Sequence, residues 1–99
     1  MTITQLNYII KLEKTRNFTK AANICNVSQP TLSIQIQKLE QELKVKIFDR
    51  TKKPIELSKV GEKIINQAKK IMIEFEKMDD VLNHKRQLLE GGFLIKTYK

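Results

Sequence analysis

FTKAANICNVSQPTLSIQIQKL, residues 18–39, is the stretch of sequence that decides the fold. Asn17 is a good N-cap, so a short helix is predicted over residues 18–25. The two alanines at its centre are small enough to let another helix approach closely. A tight turn is expected at residues 26–27. The stretch therefore predicts a short helix, a sharp turn and then a second helix.

The second helix of this pair has a clear beginning and a clear apolar face. Ser28 can cap it, and Pro30 is tolerated in the first turn, where the amide hydrogens have no intrahelical acceptor to lose. Apolar residues then follow at spacings of four and three, which predicts one core-facing stripe formed by Leu32, Ile36, Leu39 and Leu43. The opposite face is polar and can meet another molecule.

The sequence on both sides of residues 18–39 extends the domain. Thr2 and Gln5 have the spacing of a capping box, so a first helix is predicted up to about Lys14. Residues 45–57 alternate between apolar and polar side chains on either side of a turn, as two short strands would. This pattern predicts a small β-hairpin, or wing.

A long last helix is expected after Ser58, which can cap it. Its apolar seam has steps of four and three residues, the 3.5-residue period of a coiled coil, and comprises Ile64, Ala68, Ile71, Phe75, Met78, Leu82, Lys85 and Leu89. Gly91-Gly92 is expected to end this helix.

The seam has two possible uses. An apolar stripe of this kind commonly packs inside its own domain. Here about 30 helical residues span roughly 45 Å, and the other helices are short and already pack on one another. Dimerisation is therefore the favoured interpretation, with an interface predicted at Ile64, Ala68, Ile71, Met72, Phe75, Met78, Leu82 and Leu89.

The composition narrows the classes of function. The chain has 99 residues with 40% hydrophobic side chains, which suits one small domain with a core and leaves little room for a deep enzyme cleft. Its formal net charge of +8 favours a polyanionic partner such as nucleic acid. No acid, base and nucleophile set is at hand, so an enzyme is not expected.

Cysteine and histidine usage sets the expected compartment and cofactors. A single Cys25 has no partner for an intrachain disulfide, and a lone His84 cannot complete a metal site, so neither a metal nor another cofactor is expected. No stretch approaches the roughly 18 apolar residues of a membrane span, and the N-terminus lacks a secretory pattern. The chain is therefore expected to be cytoplasmic, with no membrane partner.

The helix pair of residues 18–39 has the geometry that places one helix in the DNA major groove while the preceding helix braces it across the backbone. Candidates for base contact lie near the start of the inserted helix and off its apolar stripe: Gln29, Pro30, Thr31, Ser33, Ile34 and Gln37. Candidates for phosphate contact, the last three of them expected at the wing tip, are Lys20, Ser28, Lys38, Arg50, Lys52 and Lys53. Gln29 can pair with adenine, Ser33 with several bases, and Ile34 with a thymine methyl group.

Each of these surfaces also has a simpler interpretation. The polar face of the helix can be an ordinary solvated surface, and the basic wing can be solubilising charge. Ile34 distinguishes the two, because an isoleucine on an outer helix face has no core reason to be there. Its presence favours DNA contact.

Several motifs follow one another in a fixed order: FTKAA at 18–22, VSQPTLS at 27–33, Ile36, Leu39-Glu40, IFDR at 47–50, Leu57-Ser58 and Gly61. In this order they closely resemble the N-terminal domain of LysR-type bacterial transcriptional regulators. The resemblance covers about the first 90 residues. Around residues 25–33 the chain is most similar to the hydrogen-peroxide-sensing members of that family.

The resemblance implies a mainly helical, winged helix-turn-helix fold of three helices plus a two-stranded wing, followed by a long dimerising linker helix. It implies a DNA-binding domain at residues 1–58, a linker and dimerisation helix at 59–90, and a tail at 91–99 like the start of an effector domain. A homodimer with antiparallel linker helices would bind double-stranded DNA at inverted repeats in promoters and regulate transcription. Many family members have Arg where Ile34 stands, which favours an apolar base contact here.

One alternative comes from a different class of function. The chain can be a protein-interaction module that heterodimerises with full-length regulators through the heptad helix, with the basic wing serving solubility alone.

Overall fold

The computed structural model describes the backbone of residues 1–90 and the side chains of residues 1–84. Its elements are α1 (Ile3–Thr15), α2 (Phe18–Ile24), α3 (Gln29–Leu43), β1 (Phe48–Asp49), β2 (Glu56–Leu57) and α4 (Lys59–Glu90). The predicted architecture is confirmed: three helices, a two-stranded wing and a long final helix. The predicted helix end at Gly91-Gly92 and the tail at 91–99 lie outside the described residues.

The predicted capping box begins α1. The Thr2 hydroxyl accepts a hydrogen bond from the Gln5 N–H, and the Gln5 side chain accepts one from the Thr2 N–H, each over 3.0 Å. α1 ends after Thr15 because Arg16 adopts a left-handed backbone conformation with a φ of 53°. Arg16 also donates from Nη1 to the carbonyl oxygen of Ile55 over 3.0 Å, which ties the end of the wing to α1.

The predicted helix pair is present. Asn17 caps α2 and Ser28 caps α3, each side chain accepting a hydrogen bond from the N–H three residues further on. Asn26, in the turn between the helices, has a φ of 56°, a left-handed conformation that asparagine tolerates better than most residues. α3 ends where Lys44 also becomes left-handed.

One core lies between α1, α2 and α3. The stripe predicted on α3 is confirmed at Leu32, Ile36 and Leu39, which have no exposed surface, whereas Leu43 is half-buried at the edge. The other buried apolar side chains of these helices are Leu6, Tyr8, Ile9, Leu12, Ala21 and Ala22. This packing fixes which face of α3 points away from the core.

The wing is shorter than the alternating pattern predicts, with only two paired residues in each strand. Phe48 pairs with Leu57, and Asp49 with Glu56, in an antiparallel register. At Ile47, just before β1, one further hydrogen bond joins the two sides of the hairpin, from the Ser58 N–H to the Ile47 carbonyl oxygen over 2.9 Å. The Ile47 N–H donates instead to Glu40 Oε2 over 2.8 Å. The regular pairing of the strands therefore stops at Phe48 on this side.

α4 begins directly after Ser58, as predicted, and its start lies against the wing. The Ser58 hydroxyl accepts from the Gly61 N–H over 2.9 Å and donates to the Lys46 carbonyl oxygen over 2.6 Å. Gly61 is buried, and a Cβ on it would overlap the carbonyl group of Ile47. The helix then crosses α1, where Lys69 forms an ion pair with Glu13 over 3.2 Å.

The apolar seam of α4 has two different environments. In its first half, Ile65 and Ala68 are buried in the core of their own chain, and Ile64, Ile71 and Met72 pack partly against it. In its second half the apolar side chains that the structure describes, up to residue 84, are exposed. Ala68, which is predicted to lie in a dimer interface, is only 1% exposed and is already covered by its own chain, so it offers little surface to a partner. The side chain of Leu89 lies outside the described residues.

None of the described helices combines the length and the apolar character that crossing a membrane requires.

Replacing Gly61 with alanine is expected to destabilise the fold. Alanine normally stabilises a helix interior by about 1 kcal/mol relative to glycine. Here the added Cβ must push α4 away from the Ile47 backbone, at an expected cost of about 1–3 kcal/mol. Urea unfolding followed by circular dichroism measures the difference, with the exposed Lys63→Ala as control. A raised free energy of unfolding in Gly61→Ala would show that the contact is not restrictive.

Glu40→Ala is expected to lower the free energy of unfolding by about 2–4 kcal/mol, because it leaves two buried backbone N–H groups of the wing without an acceptor. Glu42→Ala is the matched control. Glu42 is half-exposed and pairs with the N-terminal amine, so its loss is expected to cost less than about 1 kcal/mol. Equal losses in the two variants would mean that the wing does not depend on Glu40.

Candidate nucleic-acid interface

The outward face of α3 is the first part of the candidate interface. Gln29, Ser33 and Gln37 follow one another at four-residue intervals, so they lie in one row along the helix. Pro30 and Ile34 form the neighbouring row. Of the six predicted base-contact residues, five are exposed, namely Gln29, Pro30, Thr31, Ile34 and Gln37. The sixth, Ser33, is half-buried.

Ile34 is 49% exposed although it is a large apolar residue. It lies on the face opposite the buried stripe and close to the polar side chains of the same face. Exposing such an apolar side chain to water is unfavourable, and a partner that covers it would gain free energy from burying its surface. A thymine methyl group is one such partner in the DNA major groove.

Ser33 is half-buried because Arg50 reaches across from the wing to contact it. Nη1 of Arg50 donates to Ser33 Oγ over 2.7 Å, and Nη2 lies 3.4 Å from the Ser33 carbonyl oxygen. The guanidinium carbon also lies 4.6 Å from the centre of the Phe18 ring, a cation–π contact with α2. Arg50 thus joins the wing to both helices of the pair.

The prediction that Arg50 stands at the wing tip with Lys52 and Lys53 is wrong. Its side chain is only 28% exposed and turns inward against α3, where its cation lies 3.9 Å from Oε1 of Glu40. Arg50 follows directly after β1, so it occupies the base of the hairpin turn and not its end. The guanidinium is therefore engaged within the chain.

Glu40 is the residue of this region that reasoning from the sequence missed. Its side chain is 2% exposed, and Oε2 accepts hydrogen bonds from the N–H groups of Ile47 and Phe48 over 2.8 and 3.2 Å. Oε1 makes no hydrogen bond with the described residues. A signal was present, because Glu40 comes four residues after Ile36 and so places a charged group on the apolar stripe.

The predicted phosphate contacts lie at two places. Lys52 and Lys53 are exposed in the turn of the wing, and Lys20 and Lys38 are exposed on α2 and α3. Lys53 lines a shallow groove together with residues at the start of α2, among them Asn17 and Thr19. Lys53 therefore lies beside the start of α2.

Ser28, a further predicted phosphate contact, is exposed but engaged in capping. Its hydroxyl oxygen accepts from the Thr31 N–H over 3.2 Å, and the hydroxyl donates to Thr31 Oγ1 over 2.8 Å. An incoming phosphate would have to compete with Thr31 for the hydroxyl hydrogen.

Asp49 is an acidic group three residues before Lys52. Hydrogen bonds from the hydroxyl and the N–H of Thr51 hold the pKa of Asp49 below its usual range, and the charge of Lys52 acts in the same direction. Asp49 is therefore ionised at neutral pH, and its hydrogen bonds to Thr51 close the first part of the wing turn.

Cys25 is half-buried directly after α2. Burial raises the pKa of the Cys25 thiol, and the charge of Lys11 offsets this only in part, so the thiol is protonated at neutral pH. Within residues 1–90, the described side chains contain no group of three or more His, Cys, Asp or Glu that could hold a metal ion.

A second surface lies on the outer half of α4. Apolar side chains of this half that are exposed within residues 73–84 are Ile73, Phe75, Met78, Val81 and Leu82. Phe75, Met78 and Leu82 continue the heptad seam at steps of three and four, and Phe75 is 47% exposed. Three of the predicted interface residues thus form one uncovered apolar row.

Comparison with known proteins places the helix pair and the wing in one family. The model of the bacterial regulatory helix-turn-helix protein, lysR family, matches residues 3–62, which run from the start of α1 into α4. The DNA-binding transcriptional dual regulator OxyR of Escherichia coli is 35% identical over 91 residues, which is 92% of this chain and 30% of that protein. The chain thus spans less than a third of the length of this curated relative.

Solved structures agree with this assignment. A full-length OxyR variant from Pseudomonas aeruginosa has a TM-score of 0.85 and 42% identity, over 90% of this chain and 30% of that one. The CbnR DNA-binding domain in complex with DNA has a TM-score of 0.79 and 30% identity, over 87% of this chain and 99% of that one. From the residues matched and the fold they share, the chain belongs to the LysR family of bacterial regulatory helix-turn-helix proteins and contains its DNA-binding domain.

Proposed function

We propose that the chain binds double-stranded DNA sequence-specifically as a homodimer and regulates transcription from promoters with inverted repeats. In each protomer, residues 1–58 act as the DNA-binding domain and residues 59–90 as the linker and dimerisation helix. The role is one of binding and not of catalysis.

The observation that supports this proposal best is the two-sided character of α3. One side is anchored by Leu32, Ile36 and Leu39, which are fully buried. The other side carries exposed side chains that match the hydrogen-bonding and methyl groups of base edges, Gln29 and Ile34 among them. A helix held so firmly from one side can insert its other side into a major groove without rearranging.

The positive charge fits the path of the DNA backbone beside such a helix. Lys52 and Lys53 on the wing and Lys38 on α3, the helix that carries the candidate base-reading row, are exposed. Lysine contacts to phosphate give affinity and register but little sequence information. We assign these lysines to phosphate and the row on α3 to bases.

The homodimer is supported by the exposed half of α4. With 32 residues, α4 is about 48 Å long, and its apolar side chains from residue 73 to residue 84 are left exposed by the rest of the chain. Phe75, Met78 and Leu82 are spaced as a coiled-coil seam, and burying them against a second copy would remove apolar area from water. Antiparallel pairing would place the two α3 helices at opposite ends of the joined helices.

The same exposed seam also supports a second candidate function, heterodimerisation with a full-length regulator of the family. The two candidates differ in whether the chain itself reads DNA. The DNA complex of the CbnR DNA-binding domain among the structural neighbours supports the first.

Gln29→Ala is expected to weaken binding to a selected duplex about tenfold and to leave binding to random duplex nearly unchanged, because it removes a base contact. Lys53→Ala is the matched comparison. It is expected to weaken binding to both duplexes by similar factors. It is also expected to reduce the slope of log affinity against log salt concentration by about one. Fluorescence anisotropy at several salt concentrations measures both. If the unmodified chain never binds a selected duplex more tightly than random duplex, the interaction-module function takes precedence.

Phe75→Glu is expected to convert the dimer into monomers at micromolar concentration, because it places a charge in the seam where apolar side chains would be buried. Lys77→Glu adds the same carboxylate on the opposite face of α4 and is expected to remain dimeric. Among the residues whose side chains are described, Lys77 pairs with the exposed Glu74, and little stability is lost with an exposed ion pair. Sedimentation velocity distinguishes the states. A dimer that survives Phe75→Glu would place the interface elsewhere.

A further inference from the structure

The bond between Arg50 and Ser33 reaches the face of α3 that is proposed to read DNA. Nη1 of Arg50 donates to Ser33 Oγ over 2.7 Å. A cationic donor makes a stronger hydrogen bond than a neutral one. On the side that faces the wing, the Ser33 oxygen is therefore already engaged as an acceptor.

Contacts within the chain hold Arg50 in this position. The Phe18 ring lies against its guanidinium at 4.6 Å, and the buried carboxylate of Glu40 lies 3.9 Å from Nη2. The Ser33 carbonyl oxygen lies 3.4 Å from the same nitrogen. The Arg50–Ser33 bond thus needs no DNA in order to form.

This arrangement limits what the Ser33 hydroxyl can offer to a base. A serine hydroxyl has one hydrogen to donate and two lone pairs to accept with. With Arg50 on one lone pair, a second donor that approached the oxygen would also meet the positive charge of the guanidinium. The hydroxyl hydrogen has no such conflict, so the favoured partner is an acceptor.

Base edges in the major groove differ in this respect. Guanine presents N7 and O6 as acceptors and thymine presents O4, whereas cytosine presents the N4 amine as a donor. We infer that Arg50 is a positioning residue for base recognition: it makes Ser33 a hydrogen-bond donor toward DNA, so that Ser33 selects guanine or thymine against cytosine. The inference rests on the proposed function, because it requires α3 to lie in a major groove.

The test begins with the duplexes that the chain prefers. The unmodified chain is used to enrich bound duplexes from a randomised library, and each base pair of the enriched sequence is then replaced in turn. Affinities are measured for the unmodified chain, Ser33→Ala and Arg50→Met. Methionine keeps an unbranched side chain beside Phe18 but removes the charge and the donors. Lys52→Met is the matched control, a nearby wing cation that is exposed.

The unmodified chain is expected to prefer guanine or thymine over cytosine at one position of each half-site by about three- to tenfold, the value of one hydrogen bond. Ser33→Ala is expected to lose this preference. Arg50→Met is expected to lose it at the same position and at no other, because Ser33 can then accept as well as donate. Lys52→Met is expected to lower the affinity for all duplexes by the same factor.

The inference is overturned if Arg50→Met keeps the preference at the Ser33-dependent position. It is also overturned if Arg50→Met lowers the affinity for all duplexes by the same factor, as Lys52→Met does. A Ser33→Ala chain with an unchanged profile overturns it as well. These outcomes leave the proposed function intact, since an enriched sequence has then been found. An unmodified chain that enriches no sequence overturns the proposed function together with the inference.

Base analogues keep the inference testable if Arg50→Met does not fold, as judged by thermal melting. 7-Deazaguanine lacks N7, 2-aminopurine lacks O6, and for thymine an analogue without O4 serves. At the Ser33-dependent position, one of these is expected to lower the affinity of the unmodified chain about three- to tenfold and not that of Ser33→Ala. If no analogue has such a Ser33-dependent effect, the inference fails.

Discussion

A buried carboxylate joins the helical part of this domain to its wing. Glu40 lies on the inner side of α3, and its Oε2 accepts both backbone N–H groups at the start of β1. Burying a carboxylate is costly unless hydrogen bonds and a nearby cation compensate for the lost water. The N–H groups of Ile47 and Phe48 supply the first, and Arg50 supplies the second. The position of the wing is therefore set by the need to satisfy one charge on α3.

This requirement also determines what the wing can present to solvent. Arg50 remains near Glu40 and contacts Phe18 and Ser33, so the hairpin presents its lysines outward and keeps its arginine inward. Arg50 thus connects α2, α3 and the wing through one side chain. A site that must match base edges to within fractions of an ångström benefits from such support behind the contacting side chains.

The helices and their order followed from local chemistry that the sequence displays. The caps at Thr2, Asn17 and Ser28 and the stripe on α3 depend on residue type and spacing alone, and the structure has them where expected. The role of Glu40 and the inward turn of Arg50 depend on contacts between residues that are 7 to 32 positions apart, from Glu40–Ile47 to Phe18–Arg50. Periodicity carries no information on such contacts, so the sequence predicted Arg50 only as one cation among three.

Ala68 shows the same limit in α4. The heptad spacing continues without a break from Ile64 to Leu82, yet its first part packs inside the domain and its last part is exposed. A repeat indicates that a face is apolar but not which partner covers it. The point on α4 at which the seam becomes exposed is set by how far α1 packs along α4. This packing is a tertiary property.

The continuity of α4 from the domain into its exposed half has a geometric consequence. An α-helix turns by about 100° and rises about 1.5 Å with each residue. Gly61 seats the start of α4 on the Ile47 backbone, so the direction in which Phe75 points is fixed relative to α3 by the number of residues between them. One inserted residue in that interval would rotate the exposed row by more than a quarter of a turn. Residue count in α4 thus defines the angle at which any partner on that row meets the DNA-binding domain.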